Sequence, residues 1–166
     1  MFLIAPGVDD GDIVGVRLYD INPWDDCRTV YYKTAIAAAE LIAEHVPAVI
    51  GGEPGMRQRG AAFAYPKRTP ADGHISWTDT SEAICRLVRA TTRPYPGAFS
   101  TLDGVPVRIW RAQPFSRDLF GDSAPADVCF ITATSPREFV VRSLDGTVLV
   151  READTVAKLE VGARLG

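Results

Sequence analysis

Asp103-Gly104 lies between two β-rich runs, 97–102 and 105–112. An Asp-Gly pair in that setting is the strongest short-range hairpin signal a chain can carry, because both central residues of the favoured turn need φ > 0. A second such step, Asp145-Gly146, separates the runs 138–143 and 147–151, and 128–132 reads as one more short strand. The end of the chain is therefore expected as a small all-β unit over 127–166. About forty residues bury too little surface to stand alone, so the unit is expected to pack on what precedes it. Residues 113–126 are polar, with Pro114 and Pro125 and little period, and read as a linker.

The earlier part follows helical spacing. Between 28 and 46, Tyr31, Ala35, Ala38, Ile42 and Val46 recur three to four apart, and Val30, Ala37 and Leu41 widen the stripe. Asp26 is placed to cap this helix, and Pro47 with Gly51-Gly52 to end it. A second helix is expected over 80–91, capped by Thr80, with Ile84, Leu87, Val88 and Thr91 as its apolar stripe. Residues 12–20 alternate loosely and read as a strand, and 58–73 as a loop with short extended pieces. The sum is an α/β chain. Its expected core is Ile13, Val30, Ala38, Leu41, Ile42, Ile84, Leu87, Val88, Val107 and Ile109.

At 166 residues the chain fits one domain, or one with an appendage. Its net charge of −3 weighs against a dedicated nucleic-acid binder. No apolar run approaches the ~20 residues that cross a bilayer. Cys27, Cys85 and Cys129 are odd in number and far apart, without CxxC spacing. They read as small hydrophobes in a reducing cytoplasm, with no metal site. His45 reads as a cap or surface residue near a helix end, and His74 as a loop residue.

Two stretches offer chemistry. Gly7-Val8-Asp9-Asp10-Gly11-Asp12-Ile13 puts carboxylates on a tight turn, which is either a solvated acidic loop or a holder of one carboxylate against a histidine or an amine. Lys67-Arg68 can meet a phosphate or pair with Asp72 or Asp79. Pro94-Tyr95-Pro96-Gly97 is a stiff aromatic turn, suited to a pocket wall or to plain packing.

In order along the chain, these pieces resemble the folate-dependent formyltransferase family, which includes methionyl-tRNA formyltransferase and the nucleotide-sugar N-formyltransferases. Pro66 to Trp77 is similar to that family's KRTPEDG-x-I-x-W stretch. Ile84 to Phe99 is similar to its I-x-x-L-I-R-A-x-x-x-P-Y-P-G-A-F run, and Val107 to Ala112 to its VRIWRA strand. Gly7-Val8-Asp9-x-Gly11-x-Ile13 matches its G-x-D-x-G-x-I loop, and the tail from Leu159 to Gly166 more weakly resembles the end of its small β domain.

The resemblance implies the C-terminal part of a Rossmann-like formyltransferase catalytic domain over 1–112, then the linker, then a small β domain over 127–166. It implies 10-formyltetrahydrofolate as formyl donor, with Ala5, Pro6, Gly7, Val8 and Asp9 lining the pterin pocket. Asp9 matches the aspartate that raises the pKa of a catalytic histidine. The Asn and His of the family's N-x-H motif come from a stretch upstream of Met1, so the chain alone is expected to be silent and to need an N-terminal half. Residues 113–166 carry six Lys and Arg against eight Asp and Glu. That balance favours a nucleotide-linked amino sugar over Met-tRNA, which asks for a basic surface. Arg68 and Tyr95 are then the expected substrate contacts. The alternatives are a methionyl-tRNA formyltransferase fragment and a non-catalytic remnant.

Overall fold

Asp26 opens helix α1 (Cys27–Ile50), its Oδ1 accepting the Arg28 amide at 2.9 Å. This meets one of the donors that every helix start leaves unpaired. The computed structural model describes residues 1–133 and 138–166, which form two compact units. One unit holds Met1–Asp25 and Thr29–Lys67, the other Asp26–Arg28 and Arg68–Gly166.

In the first unit, α1 does not stop at Pro47 but continues for three residues. Proline's fixed φ suits a helix, and near the end its missing N–H removes only one bond of the ladder. The chain then turns through Gly52 at φ +88, and the Glu53 amide donates to the Ala48 carbonyl at 3.0 Å. The charged side chains of α1 reach back to the preceding segment. Arg17 meets Glu40 at 3.1 Å and Glu44 at 2.7 Å, and Lys33 donates to the Asp20 carbonyl at 2.8 Å. The Tyr19 and Thr34 hydroxyls lie 2.5 Å apart.

Ala37 and Leu41 are buried, whereas Ala38 and Ile42, both expected in the core, are exposed. Val30 and Ile13 are half-buried. The strand expected over 12–20 is reduced to Ile13, which bridges Phe2 and Met56. Among the described residues no backbone–backbone hydrogen bond forms along 16–20. A strand exists only where a neighbour takes its N–H and C=O groups.

Asp25 is buried in this unit. The Lys33 ammonium at 2.5 Å, then the Asn22 amide at 2.7 Å, hold its carboxyl down to about 2. Because the folded form gives up its proton more readily than the unfolded one, the contribution of Asp25 is complete above the unfolded value of 3.8 and is lost as pH falls through about 2. Asp25→Asn should lower the urea midpoint near neutral pH, and the gap should close progressively as pH falls from 3.8 towards about 2. Midpoints that stay apart in acid would refute the pairing.

The second unit is built on a five-stranded sheet. Helix α2 (Ser81–Thr91) starts at Thr80, whose side chain accepts the Ala83 amide at 3.2 Å. Ile84, Cys85 and Val88 are buried, and Leu87 packs half-buried against the same core. Strands β1 (Ala98–Leu102) and β2 (Val105–Pro114) form the expected hairpin, with Asp103 at φ 52 and Gly104 at φ 78. Strands β3 (Val128–Ile131), β4 (Phe139–Arg142) and β5 (Thr147–Asp154) follow, and the sheet runs β1-β2-β5-β4-β3, antiparallel throughout. Register shifts around Arg111 mark irregularities that add twist and curl to β2. Val107, Ile109, Phe139, Val141 and Val150 fill the core.

The tail strands and the hairpin are thus one sheet, since Ala112 pairs with Val150 and Pro114 with Val148. The compact units divide near residue 67, while 112 falls inside β2. The run expected as a linker starts within β2 and is tied to β5, the Phe115 amide donating to Thr147 O at 2.9 Å. All three cysteines are free, with Cys27 and Cys129 half-buried and Cys85 buried. Burial pushes the Cys85 thiol up to about 12, which makes it an inert core group.

Candidate functional site

Thr69-Pro70-x-Asp72-Gly73 is the turn from which one candidate site is built, and each residue has a physical reason. Pro70 starts a single 3-10 turn, Pro70–Gly73, with the φ it already has. The Asp72 carboxylate accepts the Thr69 amide at 2.6 Å and its hydroxyl at 3.2 Å, half of a reciprocal cap. That amide bond, more than any other effect, lowers the Asp72 pKa. At Gly73 a Cβ would stand 2.9 Å from the Gly97 carbonyl, so only glycine lets the turn lie against β1's entry. Gly97 has φ +88, and a Cβ there would strike the Trp110 ring at 2.8 Å.

The neighbouring motifs lock this arrangement. Ile75 donates its amide to Phe99 O at 2.8 Å, and the buried Trp77 donates its indole N–H to Ser100 Oγ at 3.0 Å. Arg93 stacks over the Trp110 ring at 4.2 Å and pairs with Glu152 at 2.5 Å, while Trp110 donates to Asp154 at 2.7 Å. The Arg108 guanidinium donates to the Pro96 carbonyl.

A groove of about 610 Å³ results. Leu87, Ala90 and Thr91 of α2 form one wall, and the Thr69–Gly73 turn and Tyr95-Pro96-Gly97 the other. It brings together Arg68 and Tyr95, the two side chains expected from sequence to meet a substrate. Arg68 is largely exposed and 3.8 Å from Asp72, so its charge is held near the turn and stays open to solvent. The groove therefore offers apolar walls with the Arg68 guanidinium and the Asp72 carboxylate at its rim. Thr69, Asp72 and Thr91 were not anticipated as part of it. The T-P-x-D-G spacing was the available signal for the first two.

The acidic loop lies in the other unit. Asp9 sits at φ 54, and Gln58 Nε2 holds its carbonyl at 2.8 Å and that of Gly11 at 2.7 Å. The Asp9 carboxylate is exposed. A Cβ on Gly11 would meet the Leu3 carbonyl at 1.7 Å, so glycine is needed there, whereas one on Gly7 would meet only the Asp10 carboxylate, which can swing aside. Ala5 is half-buried, and Pro6, Gly7 and Val8 are exposed. Among the described residues no hydrogen bond engages the Ala5–Val8 backbone. The three N–H groups and four carbonyls there have no hydrogen-bond partner among the described residues. His45 lies beside Glu44 at 3.6 Å, and the His74 ring packs edge-on against Phe99. Among the described residues no three His, Cys, Asp or Glu side chains are placed to hold a metal ion, and no helix is long and apolar enough to cross a membrane.

Residues 67–164 match the family model described as formyl transferase, C-terminal domain. The fold is similar to HypX from Aquifex aeolicus in complex with tetrahydrofolic acid, with a TM-score of 0.73 at 20% identity. It is also similar to the N-formyltransferase from Helicobacter canadensis in complex with folinic acid and dTDP-3-aminofucose, with a TM-score of 0.63 at 17% identity. The likeness covers 95% and 92% of this chain but 27% and 54% of those two.

Proposed function

The chain belongs to the formyl transferase C-terminal domain family, and on that premise we propose that it is part of an N-formyltransferase that moves a formyl group from 10-formyltetrahydrofolate to the amine of a nucleotide-linked amino sugar. The family match over residues 67–164 carries this reading. Two solved relatives of the same fold add support, one holding tetrahydrofolic acid and the other folinic acid with dTDP-3-aminofucose.

The open backbone of Ala5–Val8 fits the edge of a pterin, which presents alternating donors and acceptors. The folate, when bound, supplies an activated formyl group. Asp9, at the end of the same loop, would hold a histidine contributed from outside this chain. A carboxylate there favours the imidazolium form and so sets the proton inventory next to the reacting amine. In the other unit, Arg68 would take a phosphate oxygen and Tyr95 would wall the sugar or base. The acidic balance of residues 113–166 disfavours a tRNA acceptor.

The purified 166-residue chain should transfer no formyl group above background, since its sequence holds no N-x-H motif, and loss of an oxyanion donor such as that Asn alone typically costs ~10²–10³ in rate. An enzyme containing this sequence should formylate a dTDP-linked amino sugar and leave Met-tRNA untouched. In that enzyme Arg68→Ala should raise KM for the sugar nucleotide by roughly tenfold, the equivalent of ~1.4 kcal/mol, with kcat little changed. Side-by-side assays in which Met-tRNA is the better acceptor would reverse the assignment.

A further inference from the structure

Ile13 and Met56 exchange both of their backbone hydrogen bonds, Ile13 N–H to the Met56 carbonyl at 2.8 Å and Met56 N–H to the Ile13 carbonyl at 2.7 Å. Carried on by two residues, this antiparallel register sets residue 58 opposite residue 11. The backbone ladder does not continue there, and the carboxamide of Gln58 takes its place. Its nitrogen carries two N–H groups. Their acceptors are the carbonyls of Gly11 at 2.7 Å and Asp9 at 2.8 Å. Both acceptors are carbonyl oxygens, so the nitrogen of the carboxamide, and not its oxygen, has to face them. The clamp closes on a stretch with little support of its own. Asp9 stands at φ 54, in the left-handed region that side chains other than Asn and Asp seldom adopt. Gly11 is buried against the Leu3 carbonyl, so its own carbonyl needs a partner. Among the described residues no backbone–backbone bond engages 9–11, and the nearest runs from Leu3 N–H to the Asp12 carbonyl at 2.9 Å.

We propose that Gln58 is the positioning residue for the Asp9 carboxylate. It meets no reacting group itself, and it holds the backbone of 9–11 so that the carboxylate points one way. The inference rests on the formyltransferase reading, because that reading gives Asp9 its task. Fixing the carbonyl of Asp9 fixes the peptide plane that follows it, and with it the direction in which the Asp9 side chain leaves the chain. Gln58 is exposed and its two bonds compete with water, so it contributes little to global stability. Its contribution is aim, and a misplacement of about 1 Å is enough to cost ~10²-fold in rate.

Gln58→Met keeps the reach of the side chain and removes both donors. In the 166-residue chain, ¹⁵N relaxation should show the order parameters of the Asp9, Asp10 and Gly11 amides falling from the rigid range near ~0.85 to below ~0.6. Arg57→Met, on the exposed neighbour, should leave them rigid. In an enzyme containing this sequence, Gln58→Met should lower kcat by about 10–10²-fold, with KM for the sugar nucleotide unchanged. In an Asp9→Asn background the same substitution should lower kcat no further, because no carboxylate is left to aim. The inference is overturned if the three amides stay as ordered as in the parent. It is equally overturned if Gln58→Met costs as much without the Asp9 carboxylate as with it, which would make Gln58 a structural residue only. An enzyme of parent sequence that transfers no formyl group would refute the proposed activity, and the relaxation measurement would still decide whether Gln58 holds the loop.

Discussion

Phe139→Ala is expected to destabilise the sheet-bearing unit by about 3–5 kcal/mol, the range for emptying a large aromatic site in a packed core. Phe139 is 1% exposed and stands at the start of β4, where it pairs with Ile131 of β3 and Val150 of β5. The ring is held by strands on both sides, so little collapse can refill the space. Domains are stable by only about 5–15 kcal/mol, so the loss takes a large share of the total. Phe130, 49% exposed on the neighbouring strand, is the control, and its alanine variant should stay within about 1 kcal/mol of the parent. Urea unfolding followed by tryptophan fluorescence reports on this unit, because Trp77 and Trp110 are buried within it. Equal costs for the two substitutions would mean that β4 is not the centre of the core.

Where a local signal was complete in itself, the sequence was a sufficient guide. Asp103-Gly104 set a two-residue turn at positive φ, and Thr80 and Asp26 capped their helices, because each of these needs only a few residues of chain. Signals that needed a neighbour were read less well. The alternation over 12–20 is that of a strand, yet only Ile13 is bridged, because pairing depends on a second backbone that the local pattern cannot supply. Ala38 and Ile42, on the line Tyr31–Ala35–Ala38–Ile42–Val46, are expected in the core from their spacing. In the structure the Ala37–Leu41 line is buried and Ala38 and Ile42 are exposed, with Glu40, Glu44 and Lys33 pairing along the flank of the helix. Hydrophobic periodicity says that a face is to be covered, and does not say by what. The groove shows the same limit. Arg68 and Tyr95 were legible as chemistry-bearing residues, while their meeting depends on Gly73 and Gly97 letting two turns touch.

Asp9→Asn, made in an enzyme that contains this sequence, is expected to lower kcat by about 10²–10⁴-fold, the range that a positioned acid–base system contributes. The structure supplies the reason why the loop should survive the change. What Gln58 holds is the Asp9 carbonyl, at 2.8 Å, and the side chain takes no part in that bond. Asn tolerates the left-handed φ of 54 as Asp does. The substitution therefore removes the charge and keeps the shape. A histidine that relied on the carboxylate would lose the effect that raises its pKa, so its protonated form would be scarcer at neutral pH and the rate profile would move to lower pH. Asp10 and Asp12 are built into the same loop for other ends. The Asp10 carboxylate folds over Gly7, and the Asp12 carbonyl accepts the Leu3 amide at 2.9 Å. Their Asn variants should stay within a few-fold of the parent. Turnover against pH for all three, with folinic acid affinity as the check on the loop, separates the outcomes. A damaging Asp10→Asn with a silent Asp9→Asn would move the catalytic position by one residue. Three silent variants would reduce the loop to a solvated acidic turn and remove the catalytic role from this chain.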